Sequence, residues 1–181
     1  MLASLPVPAA HAQALPVLTG PGTYVGAGAG ATAFQADYGQ RVLGGGVVWA
    51  DVNFTWQFGA EAEARYLNLH TDEDVTEKMY LGGVRYTFRP QRLQPYAKFL
   101  IGAGEISLPF HYAQGTFMSY APGAGVDFHL SDHIVWRVVD FEYQTWPDFP
   151  YGNLKPYGVS MGLIYRQSLV NRTARFPKNK R

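Results

Sequence analysis

Over residues 56–70 the chain reads WQFGAEAEARYLNLH, and apolar and polar positions alternate with a period of two. Trp56, Phe58, Ala60, Ala62, Ala64 and Tyr66 fall on one face, and Gln57, Gly59, Glu61, Glu63 and Arg65 on the other. Successive side chains of a β-strand point to opposite faces, so this pattern predicts a strand with one apolar and one charged side. The apolar side carries aromatics near both ends and alanine between them. Two architectures accept such a strand. In a soluble sandwich the apolar face looks into a core. In a transmembrane β-barrel it looks into lipid, and the charged face looks into a polar lumen.

The same period recurs along the chain and predicts strands over 24–34, 42–51, 56–70, 79–88, 94–104, 117–130, 133–145 and 156–166. In the first, alanines alternate with Gly26, Gly28, Gly30 and Thr32. No helix follows these glycines and no Lys-Ser/Thr pair closes the motif, so they read as a curved strand with an unfilled inner face rather than a phosphate loop. The second is the least clear, because Gly44, Gly45 and Gly46 blur its facing. In the fourth, Arg85 opposes Tyr80, Val84, Tyr86 and Phe88; in the fifth, Lys98 opposes Ala97, Phe99 and Ile101. The sixth sets Asp127 opposite Val126 and Phe128, and the eighth sets Arg166 opposite Leu163 and Tyr165. In the seventh, Asp140 and Glu142 oppose Val139, Phe141 and Tyr143, which leaves Arg137 on the apolar side. A bulge or a snorkelling position near the headgroups would accommodate it.

The connections decide between the two architectures. The first, third, fifth and seventh are the longer ones, and the second, fourth and sixth are short turns. A sandwich has no reason to sort its loops by parity. An outer-membrane barrel has short periplasmic turns, long extracellular loops and both termini periplasmic. The expected fold is therefore all-β, an eight-stranded antiparallel up-and-down transmembrane barrel.

Composition agrees. The 181 residues suit one domain, and they include 20 Gly, 12 Tyr, 11 Phe and 4 Trp with only 16% charged residues. No run of apolar residues is long enough for a membrane helix, which says nothing against barrel strands. Cysteine is absent, so neither a disulfide framework nor a thiolate site exists. Residues 1–14, MLASLPVPAAHAQA, end in small-x-small patterns and read as a truncated signal peptide cleaved after Ala12 or Ala14. Residues 15–22 form a connector, 23–166 the barrel and 167–181 a basic periplasmic tail. That tail holds Arg172, Arg175, Lys178, Lys180 and Arg181; with these five set aside, the whole-chain net of +1 becomes −4. Five charges in a terminus containing Pro and Asn read as a solvated end, not a nucleic-acid site.

The segments YLGGVRYTF, QPYAKFLIGAGE, SYAPGAGVDFHLSDHI and YGVSMGLIYR, at 80–88, 94–105, 119–134 and 157–166, resemble the small eight-stranded outer-membrane barrels. These include the OmpA transmembrane domain, OmpX and opacity-type proteins. The resemblance spans 24–166 and implies a Gram-negative outer-membrane location. It also implies contact with outer-membrane lipid and lipopolysaccharide, insertion by the barrel-insertion machinery, and an envelope protein partner as a candidate. Two departures stand out. Such barrels commonly end on an aromatic insertion signal, whereas about fifteen residues follow Tyr165 here. The large peptidoglycan-binding domain that follows some of them is absent from this sequence.

The facing assigns nine charged residues to the lumen: Glu61, Glu63, Arg65, Arg85, Lys98, Asp127, Asp140, Glu142 and Arg166. Eight strands enclose just enough space for interior side chains to fill it, and buried charges must pair. The set therefore predicts a salt-bridged plug, with a gated narrow pore as its functional alternative. His129, Ser131 and Glu142 invite comparison with a hydrolytic triad, because some related barrels are lipid A deacylases. Here His129 and Ser131 fall at a periplasmic turn and Glu142 near the other end of its strand, so no enzyme is expected. The acidic loop over 71–77 lacks the spacing of a calcium site, and His70, His111 and His133 have no metal-ligand spacing. No metal or cofactor is expected. Loop aromatics at Phe110, His111, Tyr112, Trp146, Phe149 and Tyr151 are candidates for extracellular contact with headgroups or a partner. The reading is a barrel with a structural or surface-interaction role (envelope integrity, adhesion or partner binding). A small gated pore is second, and a lipid A-modifying enzyme third.

Overall fold

The computed structural model describes residues 23–37, 42–69, 75–88, 92–107, 114–147 and 152–169. The expected leader and connector lie outside them, as does the basic tail beyond Leu169; β8 itself runs two residues into the expected tail, to Ser168. Eight strands form a closed barrel in which every neighbouring pair is antiparallel: β1 Tyr24–Gln35, β2 Val42–Asn53, β3 Phe58–Leu69, β4 Val75–Thr87, β5 Leu93–Ser107, β6 Gln114–His129, β7 Ile134–Tyr143 and β8 Tyr157–Ser168. The ends meet along β1 and β8, from Tyr24↔Ser168 to Gln35↔Tyr157. Closure leaves no strand edge for lipid to desolvate.

The apolar face of each strand points outward. Val48, Phe58, Tyr80, Val84, Phe99, Trp136, Phe141, Met161, Leu163 and Tyr165 are all exposed. That surface suits hydrocarbon, not water. At the end holding the turns 54–57, 88–92 and 130–133, Phe58, Tyr86 and Phe88 stack edge to face, with centroids 4.9 and 5.1 Å apart. These rings form part of an aromatic girdle.

Three sequence expectations need correction. The parity of the connections is weaker than the sequence predicts. At the opposite, loop end the connections are 36–41, 70–74, 108–113 and 144–156, of which only the last is long. Strand pairing continues past the apolar band, through pairs such as Lys78↔Glu105 and Thr76↔Ser107, and absorbs residues expected in loops. Glu77, expected in an acidic loop, is therefore a buried residue of β4. Above the lipid both strand faces are polar or mixed, so the hydrophobic alternation that would reveal these extensions is lost.

The third correction concerns Arg137. The β6–β7 pairing steps from Val126↔Val139 to Asp127↔Arg137, which makes Val138 an extra residue in β7. One inserted residue resets the alternation. Val135 and Arg137 below the bulge face inward, as do Asp140 and Glu142 above it. Arg137 belongs to the lumen and not to the lipid face.

The glycines of β1 have a specific counterpart. A Cβ on Gly162 would meet the Trp49 ring at 2.8 Å and the Gly30 Cα at 2.6 Å. Trp49 of β2 lies inward against Val47, Val135 and Ile164, so it fills the space the glycine wall leaves.

Candidate functional site

The lumen is filled by charge. Among the described residues, its buried ionisable groups are the acids Asp51, Glu61, Glu63, Glu77, Asp127, Asp140 and Glu142 and the bases Arg65, Arg85, Lys98, Arg137 and Arg166. All nine residues expected to face inward are buried there, and the ion pairs join them into one lattice.

Lys98 is its centre. The Nζ donates to Glu61 Oε1 at 3.1 Å, Glu63 Oε2 at 3.1 Å and Asp140 Oδ2 at 2.6 Å, and pairs with Glu142 Oε1 at 2.6 Å. Two of these carboxylates come from β3 and two from β7, so one ammonium from β5 ties together walls four strands apart. The oxygens of Glu61, Glu63 and Asp140 lie within 4.8 Å of one another, close enough to hold a cation. The tethered ammonium takes that place.

Toward the turn end, Glu61 Oε2 accepts from Arg137 at 2.8 Å and Arg85 at 3.0 Å. Asp127 collects three guanidiniums: Arg85 at 2.5 Å, Arg166 at 2.9 Å and Arg137 at 3.2 Å. Arg166 also lies 3.5 Å from Asp51 and reaches Gln94 at 3.2 Å. Toward the loop end, Arg65 pairs with Glu63 and, at 2.8 Å, with Glu142. Each of the four arginines also rests a face on an aromatic ring. The distances to the ring centroid are 3.9 Å for Arg65 on Phe34, 3.8 Å for Arg85 on Tyr96, 4.6 Å for Arg137 on Trp49 and 4.4 Å for Arg166 on Tyr24. A guanidinium donates in its plane and stacks on its face, so both demands are met at once. Lysine could not replace it in this role.

Arg137 and Asp51 belong to the lattice and Glu77 is a further buried acid of the lumen; sequence reasoning omitted all three. The misfit of Arg137 on the apolar side signals a bulge or a snorkelling position, but nothing in the local sequence chooses between them or places the bulge at Val138. For Asp51 a signal existed: Trp49, Asp51 and Asn53 alternate with Val48, Ala50 and Val52, and following that period back from Asn53 gives the facing of β2 despite its glycines.

Above the lattice the loop end holds an apolar cluster beside one buried carboxyl, Glu77. Met79, Leu81, Leu100, Ile106, Ala121 and Trp146 form one buried cluster, against which Phe117 and Leu154 pack. Trp146, expected as an exposed contact, is 1% exposed and points into the barrel mouth. The connection folds inward there: Trp146 bridges Leu154, Thr145 bridges Tyr120, and the Lys155 N–H donates to Asp37 at 3.0 Å. Phe110, His111, Tyr112, Phe149 and Tyr151 lie outside the described residues, as do His70 and residues 71–74 of the acidic loop.

The hydrolytic arrangement does not assemble. Ser131 Oγ accepts the Ile134 N–H at 3.0 Å within its turn. A ring nitrogen of His129 lies 3.3 Å from Arg166, and Glu142 is held by Arg65, Lys98 and Gln144. His133 stacks on Tyr165, with centroids 5.9 Å apart.

Comparison with known proteins places this architecture. Residues 2–166 match the family model described as the outer membrane protein beta-barrel domain. A sequence search of curated proteins finds no significant match. Among solved structures, Neisserial surface protein A superposes with a TM-score of 0.65 at 14% identity, covering 80% of this chain and 96% of that one. OprG from Pseudomonas aeruginosa gives 0.57 at 12% identity, covering 81% and 96%. Ail, the attachment invasion locus protein of Yersinia pestis, gives 0.51 at 16% identity, covering 80% and 97%. With the closed barrel, its apolar outer wall and its charged lumen, the match over residues 2–166 shows that this chain belongs to the outer membrane protein β-barrel domain family of Gram-negative bacteria.

Proposed function

We propose that this protein is a closed, non-catalytic outer-membrane barrel whose role is structural or surface-interactive: envelope integrity, adhesion or partner binding. The observation that carries this is the Lys98 cage, in which one ammonium is held by Glu61, Glu63, Asp140 and Glu142 at the centre of the lumen. A route for ions through that level requires a desolvated charge to leave its partners. Separating a buried pair costs about 3–5 kcal/mol. The lumen thus serves as a rigid filling, and the surfaces left for function are the lipid-facing wall and the loop end.

The termini are periplasmic and the loop end faces outward in this reading, which follows from the single long connection at 144–156 and the tight turns opposite it. Outer-membrane lipid and lipopolysaccharide meet the apolar wall, and the insertion machinery delivers the chain there. Surface interaction is supported by analogy of fold alone: Ail has been crystallised with the heparin analogue sucrose octasulfate. Catalysis is disfavoured by the separate engagements of His129, Ser131 and Glu142.

Two measurements test the reading. Liposomes carrying the protein should not swell in small sugars or salts; swelling at the rate of an open porin would replace the plug by the pore. Cross-linking in intact membranes followed by mass spectrometry should recover a discrete envelope or surface partner. Altered lipid A masses in cells expressing the protein would instead revive the enzyme.

A further inference from the structure

We infer that the barrel carries a second seal, independent of the charge lattice: an aromatic stopper, Trp146, seated in the loop-end mouth and latched to the lattice through Gln144. The inference rests on the closed-lumen reading and adds to it a separate part with its own test.

Three observations carry it. The first is the seat. The six-membered ring of Trp146 lies so close over Gly104 of β5 that a Cβ there would approach Trp146 Cζ2 to 2.6 Å. A side chain at 104 would collide with the ring, so glycine at this inward position is what lets the indole occupy its seat. Phe117 of β6 lies alongside, with centroids 6.3 Å apart.

The second is the latch. The indole Nε1–H donates to Gln144 Oε1 at 3.2 Å, and Gln144 Nε2 donates to Glu142 Oε2 at 3.2 Å. Glu142 is the carboxylate that Arg65 and Lys98 hold. The stopper's one polar atom is thereby satisfied inside the barrel, and the segment entering the mouth is tied to the lattice below. Gln144 is fully buried, so this relay is shielded from competing water.

The third is the layering. Gly104 pairs with Phe117, and the next inward level is Gly102 with Ser119, which is fully buried. Below that lies Leu100 with Ala121, both in the cluster that Trp146 completes. On β5 and β6 the cluster therefore lies between the mouth and the level of Lys98 and Glu142. A dry cap keeps the local dielectric low, which strengthens the ion pairs beneath it.

The chain's lack of cysteine permits a direct test. Ser119→Cys places a thiol one level beneath the stopper and above the lattice. In reconstituted full-length protein, a charged membrane-impermeant thiol reagent should leave this cysteine unmodified. In Trp146→Ala/Ser119→Cys it should react at least tenfold faster, and in Trp146→Phe/Ser119→Cys it should stay protected. Heat-modifiable migration of each variant confirms a folded barrel. Rapid labelling with Trp146 in place, or equal protection in folded Trp146→Ala, would overturn the stopper. Conductance reads both seals together and labelling of Ser119→Cys reads the mouth alone, so loss of the stopper is distinguishable from loss of the closed lumen.

Discussion

Lys98 Nζ and Asp140 Oδ2 meet at 2.6 Å inside a wall of hydrogen-bonded strands, one from β5 and the other from β7. Around the same ammonium the other three carboxylates complete a cage. A buried charge with partners on four sides is held firmly, and each partner depends on it. Lys98→Met removes the cation and leaves four carboxylates without their common counter-ion. Breaking a buried pair from one side costs about 3–5 kcal/mol. The variant should unfold at clearly lower urea concentration in micelles, followed by loss of heat-modifiable migration. An unchanged midpoint would mean that the cage contributes nothing to stability.

Asp127 gives a second test, since three arginines converge on it. Asp127→Asn keeps the shape and removes the charge, so it isolates electrostatics from packing. Destabilisation of about 3 kcal/mol or more is expected, on the scale of a broken buried pair. Asp132, exposed in the adjacent turn, serves as the control. Asp132→Asn should move the urea midpoint by less than about 0.5 kcal/mol equivalent, as surface changes usually do.

Arg137 tests the double engagement of the guanidiniums. It pairs with Glu61 and Asp127 while its face lies on Trp49. Arg137→Lys keeps the charge but loses the stack and the in-plane fork. The cost should exceed that of Lys98→Arg only if the stack matters in addition to charge. The stack itself is worth about 2 kcal/mol or more when desolvated. A double-mutant cycle with Trp49→Leu reads that coupling directly, and a coupling energy near zero would assign Arg137 to charge alone.

The seam between β1 and β8 yields a packing prediction. Gly162→Val would drive a side chain into Trp49 and the Gly30 backbone. Overpacking of this kind typically costs about 1–3 kcal/mol. The variant should insert slowly or incompletely into vesicles, and Trp49→Ala in the same chain should restore part of the yield. Full insertion of the single variant would show that the wall has slack.

Much of this was legible in the chain itself. The period of two in β3, β4, β5, β6 and β8 told which side faces lipid, because hydrocarbon and a polar lumen impose opposite demands on alternate residues. Lys98, Glu61, Glu63 and Arg85 were readable for that reason. Arg137 was legible only as a misfit: on the apolar side it called for a bulge or a snorkelling position, and the cross-strand register at Val138 decides for the bulge. Glu77 was hidden because β4 runs above the lipid, where the demand for an apolar face lapses. Trp146 looked like a surface aromatic because a Trp next to proline in a long connection usually is one. Only the seat at Gly104 and the Gln144 latch distinguish a stopper from a headgroup anchor, and both are contacts made across the barrel.

The most direct test of the closed lumen is single-channel recording in planar bilayers, with wild type and Glu63→Ala measured side by side and heat-modifiable migration confirming that both are folded. The lattice predicts no current steps in either protein: with Glu63 gone, Lys98 still holds Glu61, Asp140 and Glu142. Discrete openings in the wild type would show a conducting lumen, openings only in folded Glu63→Ala would show that carboxylate to be its gate, and either would contradict the plug.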